Sequence, residues 1–210
     1  MDENVDPEKV VRSESSSVMK SSRLEAFSDG VFAIIVTIMV LVFQVPNTDS
    51  LQELRAMLPQ FLAYLLSFIV VMIYWVNHHH MIHLVDHVDS RILWFNANQL
   101  FWLSLIPFVT AYLSKFSASR TSVVLYGSVQ SLSALSYYFL YGSVARQRLS
   151  DPHFQSLHKQ MTRKNQIGLF ISFMVVPMAF VNRWVAISLI VLPATMYFIP
   201  EKKVEQCELE

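Results

Sequence analysis

The chain has 210 residues, and its 16 Lys+Arg are matched by 16 Asp+Glu, giving a pI near 7.1. That balance argues against a nucleic-acid partner, which calls for a basic excess. The single cysteine, Cys207, rules out an intrachain disulfide framework or a cysteine-based zinc site, and four glycines leave no Gly-rich phosphate loop and no glycine-built carbonyl filter.

Charge is segregated along the chain. Asp, Glu, Lys and Arg are absent from 30–48, 56–85, 92–114, 121–145, 165–182 and 184–200, stretches of 17 to 30 residues. Each is close to the ~20 residues a helix needs to cross a hydrocarbon core of about 30 Å. The expected fold class is therefore an all-α membrane protein with six transmembrane helices. Its parts are a disordered polar arm at 1–21, a six-helix transmembrane domain at 22–200 and a charged tail at 201–210. The arm has acidic residues and no apolar core, so it does not read as a cleavable signal peptide.

Taken in order, helix one is expected to start near Arg23, after a Ser22/Glu25 capping-box pattern, and to end at Pro46 and Asn47. Helix two is expected from Glu53 to Asn77, followed by a His-rich connector, His78 to Asp89. Helix three covers Arg91 to Leu113, with a kink at Pro107. Helix four covers 119–145, and its Ser, Gly and Ala residues suit close packing in a bilayer. A basic connector, Arg146 to Lys164, precedes helices five and six, which are divided only by Asn182 and Arg183. With six alternating spans, 12 Lys/Arg fall on one side and 4 on the other. The positive-inside rule then puts both termini in the cytoplasm of a multi-pass cell-membrane protein.

Candidate chemistry is sparse. Asp29 sits near the inner end of helix one. It reads either as an interfacial carboxylate near a positive helix N-terminus or as part of a buried network with Arg23, His78, His79, Trp94 and Asn96. Ile34, Ile38, Leu41 and Val45 share one face of helix one, with Thr37 beside them. That face suits lipid, core or pore. His79, His83 and His87 follow i, i+4, i+8 spacing, with Asp86 and Asp89 nearby. A metal site would use such a pattern, and so would a solvated or pH-responsive surface connector. His153 and His158 carry no recognisable spacing. No nucleophile is paired with a base, so no enzyme activity is expected, nor any resident cofactor.

The segment Arg23-Leu-Glu-Ala-Phe27-Ser28-Asp29-Gly30 resembles the Arg-x-x-x-Phe-Ser-Asp motif of the transmembrane-protein-175 family. Tyr74-Trp75-Val76-Asn77-His78-His79, Trp94-Phe95-Asn96 and Pro107-Phe108-Val109-Thr110 resemble its second and third helices, with Val109 where Pro is frequent. The resemblance is strong over 23–113. It implies a homotetrameric potassium channel in the bilayer, of the single-repeat prokaryotic form, with helix one lining a central pore. It further implies a hydrophobic constriction at Ile34, with Ile38 and Leu41 next along the pore. Thr37 would contribute to ion selectivity, and Arg23, Phe27, Ser28 and Asp29 to helix packing. The permeant ion would be K+ and, less well, other monovalent cations. A coupled transporter or proton pathway through Asp29 and the His-rich segment is the alternative.

Overall fold

The structure is a computed structural model, and it describes residues 21–43, 45–116 and 118–198. The arm and tail readings, and Cys207, lie outside the described residues apart from Ser21. The described chain is helical: α1 Ser21–Val40, α2 Leu51–Ala56, α3 Leu58–Ile82, α4 Ser90–Ser104, α5 Ile106–Lys115, α6 Arg120–Ala145, a 3-10 turn Arg146–Arg148, α7 Pro152–Val181 and α8 Arg183–Phe198. Among the described residues, three segments are long and apolar enough to cross a membrane: Leu58–Ile82, Ser90–Lys115 and Leu157–Val181.

Local chemistry sets the boundaries. Ser22 lies inside α1, and the Glu25 carboxylate faces α3 rather than reaching back to cap the helix. α1 stops at Val40, short of Pro46. The N–H groups of Leu41, Val42 and Phe43 bond to the carbonyls of Ile38, Met39 and Val40, the tightened spacing that often ends a helix. Gln60 Nε2 then donates to the Val42 carbonyl at 2.7 Å. Ser50 caps α2 by accepting the Glu53 N–H at 3.2 Å, and the run breaks at Met57, ahead of Pro59. α4 and α5 form one span broken at Leu105, because Pro107 has no N–H to offer the previous turn. This is the expected kink.

Two further boundaries differ from expectation. α3 continues through Ile82, so His78 to Ile82 are helical and the connector shrinks to 83–89. The segment expected as a basic connector is mostly α7. Phe154, Leu157 and Asn165 are buried on one face of it, and its Lys and Arg residues lie on the others. Charge marks where a span leaves the bilayer, not where its helix ends.

α6 is the axis of the bundle and is buried along most of its length. It packs against α4, α5, α7 and α8, while α1 packs against α3, α4 and α5. The polarity of α6 is absorbed locally. Ser128 Oγ and Ser133 Oγ donate to the carbonyls of Val124 and Val129, four residues back. Ser131 Oγ lies 2.7 Å from the carbonyls of both Gly127 and Ser172, the second on α7. Such pairing lets serine occupy a helix that water does not reach. Gly127 permits the α6/α7 contact, since a Cβ there would lie 2.5 Å from Val175 Cγ1.

The two ends of the bundle are recognisable. At one, the 83–89 loop docks on the 3-10 turn: Arg148 pairs with Asp86 at 2.9 Å, and Gln147 bonds the backbone of Asp86 and His87. The same end brings Lys164 over the Tyr197 ring at 5.0 Å. At the other, Arg120 lies over Phe180 at 5.9 Å, and Asn182, the one residue between α7 and α8, accepts the N–H groups of Trp184 and Val185.

Candidate functional site

The first turns of α1 meet the last turns of α3 and the first half of α4. Ser28 is buried, and its Oγ donates to the Leu24 carbonyl at 2.8 Å. Asn96 Nδ2 donates to Ser28 Oγ at 3.0 Å, and Asn96 Oδ1 lies 2.7 Å from His78 Nε2. A carbonyl oxygen only accepts, so His78 carries a proton on Nε2. The His78 ring packs against Phe32, with centroids 5.5 Å apart. Its Nδ1 is buried with no hydrogen-bond partner among the described residues. Ser28, His78 and Asn96 are thus brought together.

Asp29 takes a different partner. Trp75 Nε1–H donates to Asp29 Oδ1 at 2.9 Å, a link across helices that was not among the candidate partners read from the sequence. The signal was present, since Trp75 lies three residues before His78 and so shares its face of α3. Arg23, Phe27 and Trp94 point away from this network. Trp94 is 74% exposed and Phe27 63% exposed in the protomer.

His79 and His83 face Glu25. His79 Nδ1 is 3.0 Å and His83 Nε2 3.5 Å from Glu25 Oε1. His87 does not belong to this group, because α3 ends at Ile82 and the helical spacing lapses before it. Glu25 stands in the third position instead. Asp86 faces Arg148, and Asp89 caps α4 by accepting the Ile92 N–H at 2.7 Å. His158 lies 3.1 Å from the Tyr141 hydroxyl; the side chain of His153 lies outside the description.

Beyond Ser28, α1 has two sides. Phe32, Ile35 and Met39 are buried in the core. The opposite side is uncovered in the protomer: Ile34 is 57%, Ile38 46% and Leu41 76% exposed, with Val45 also exposed just beyond the helix. These bulky aliphatics form one stripe. Ala26, Gly30, Ala33 and Thr37, all exposed, form a second beside it. Thr37 Oγ1 lies 3.0 Å from the carbonyls of both Ala33 and Ile34. Donating its proton to the backbone leaves the oxygen's lone pairs turned outward.

The family described as "Endosomal/lysosomal potassium channel TMEM175" matches residues 23–107, the part that carries α1 and the Ser28–Asn96–His78 network. The protein named "Potassium channel HX13_20290" of Chryseobacterium sp. is 39% identical over 189 residues, covering 90% of this chain and 97% of that one. "Potassium channel B446_29190" of Streptomyces collinus is 35% identical over 153 residues, covering 69% of this chain and 74% of its own. Among solved structures, a "lysosomal potassium-selective channel TMEM175 homolog" from Chamaesiphon minutus superposes with a TM-score of 0.74 at 25% identity, over 84% of this chain and 95% of that one. With a relative this similar along nearly its whole length, and with the family's segment forming the helix junction described above, the chain belongs to the TMEM175 family of ion channels.

Proposed function

We propose that the protein is a potassium-selective cation channel, with α1 of each of four subunits lining a central pore. The observation that carries this reading is the uncovered aliphatic stripe Ile34–Ile38–Leu41 on a helix whose other side is packed into the core. An apolar face facing nothing in the protomer is suited to a symmetric assembly around an axis. Named potassium channels among the relatives support the choice of ion.

The mechanism follows from side-chain chemistry. A ring of four Ile34 side chains offers no ligands to a cation and closes the pore by excluding water. Ile38 and Leu41 extend that dry segment. When the ring widens, ions pass according to how readily they shed hydration, and K+ gives up water more easily than Na+. Thr37 oxygens, with lone pairs outward, replace part of the lost shell. Selectivity is then weaker than a carbonyl filter provides. On this reading the chain makes six passes, α1, α3, α4–α5, α6, α7 and α8. The grouping of the 83–89 loop, the 3-10 turn and Lys164 at one end, with Arg120 and Arg183 at the other, supports the 12-to-4 Lys/Arg asymmetry. Both termini are then cytoplasmic in a cell-membrane protein. The coupled-transport alternative would need Asp29 as a working carboxylate, and the Trp75 hydrogen bond to Oδ1 instead gives it a structural partner.

The test is a bi-ionic reversal potential, K+ against Na+, with the purified protein in a planar bilayer. A reversal shifted toward the K+ equilibrium value is expected. Thr37→Val should move it back toward zero, and Ile34→Ala should raise the closed-state current. Absence of unitary current, with ion uptake only under a proton gradient, would overturn the channel reading.

A further inference from the structure

Glu25, His79 and His83 form a compact group that the channel reading does not use. His79 and His83 are one turn apart at the end of α3, and Glu25 is in the second turn of α1. One ligand atom from each lies within 4.8 Å of the other two. Glu25 Oε1 is 3.0 Å from His79 Nδ1 and 3.5 Å from His83 Nε2, and the two imidazole Nε2 atoms are 3.3 Å apart. Bonds of about 2.0–2.1 Å to a tetrahedral ion put neighbouring ligand atoms roughly 3.3 Å apart. With Nδ1 as the His79 ligand atom, the two distances to Glu25 Oε1 stand close to that spacing, while the 3.3 Å contact belongs to the ring's other nitrogen, Nε2, and the three ligand atoms lie within 4.8 Å of one another. His79 Nδ1 also makes no aligned hydrogen bond, although it is buried and within 3.0 Å of the carboxylate. The carboxylate beside this nitrogen makes an ion pair with it, and a metal ion between the two would bind both.

We propose that Glu25, His79 and His83 bind a divalent transition metal of the zinc type, with two imidazole nitrogens, one carboxylate oxygen and a remaining position for water. Two imidazoles and a carboxylate suit zinc and its neighbours rather than magnesium or calcium, which take all-oxygen sets. A cation also balances the Glu25 charge. The ion joins the start of α1 to the end of α3. A tether on the pore helix would bear on opening, and that consequence rests on the channel reading; the binding itself does not.

Zinc titration of the untagged, chelator-treated full-length protein, followed calorimetrically, tests the site. One zinc per chain and a raised melting temperature are expected. His83→Ala, a half-exposed position that leaves the core intact, should weaken binding beyond the roughly 10–100-fold that loss of an outer-shell partner costs. Glu25→Gln should weaken it too, and His87→Ala should bind as the wild type does. Co2+ in place of zinc should give the intense visible absorption of a four-coordinate site. Failure of the wild type to take up zinc, or equal affinity in His83→Ala, would overturn the proposal. Neither result bears on whether the protein conducts K+, which the reversal potential decides separately.

Discussion

The His78–Asn96–Ser28 chain shows how three ordinary polar residues hold three helices in register. Each hydrogen bond contributes little by itself, but a buried donor left without its acceptor costs about 1–3 kcal/mol. Asn96→Leu should therefore destabilise the protein by at least that much, because it strands the His78 Nε2–H and removes a donor to Ser28. Thermal unfolding in detergent measures it. Gln99 is the converse case. It is 1% exposed, and neither amide atom has a partner among the described residues. Gln99→Leu should stabilise by on the order of 1 kcal/mol, since it removes a desolvated amide at little change in volume. Much of this was legible from residues 23–30 and 74–79, where polar side chains interrupt apolar helices. The pairing was not, because Asp29 had several candidate partners within reach of one membrane level, and only the rotation of α3 selects Trp75.

At the scale of elements, the six charge-free stretches located the helices, and Pro107 announced the break between α4 and α5. Sequence charge was a poor guide to helix length. The basic run before Asn165 continues α7 because Phe154 and Leu157 give it an apolar face, a 3.6-residue period that outweighs the Lys and Arg around it. α6 was recognisable by its serines, but its central position follows from the three-dimensional packing. Close approach at Gly127 makes a sharp prediction. Gly127→Ala puts a methyl group 2.5 Å from Val175 Cγ1, and the overpacking should cost roughly 1–3 kcal/mol. Val175→Ala in the same chain should return part of that loss. The double-mutant cycle in thermal stability reads the coupling directly.

For the whole molecule, the uncovered side of α1 is the feature that a single chain leaves unresolved. Gly30 separates effects within a subunit from effects between subunits. Gly30 is exposed and a Cβ added there meets no heavy atom within 4 Å in the protomer, so Gly30→Leu should leave the fold of one chain intact. In the proposed tetramer the same leucine would stand in the narrow stripe Ala26–Gly30–Ala33, where small residues let helices approach. Native mass spectrometry should then show the four-chain species lost or depleted while the monomer's helical circular dichroism is retained. Retention of the tetramer would place the small stripe away from the subunit contact.

The Ser28–Asn96 bond joins positions 68 residues apart, and this has a consequence for biosynthesis. Chains are made at about 5–20 residues per second, so α1 reaches the membrane several seconds before α4 can engage it. Through that interval Ser28 falls back on the carbonyl of Leu24 within its own helix, while Asp29 waits for Trp75. Slowing translation between codons 40 and 96 should lengthen that wait and lower the yield of assembled protein, whereas slowing it after codon 120 should not.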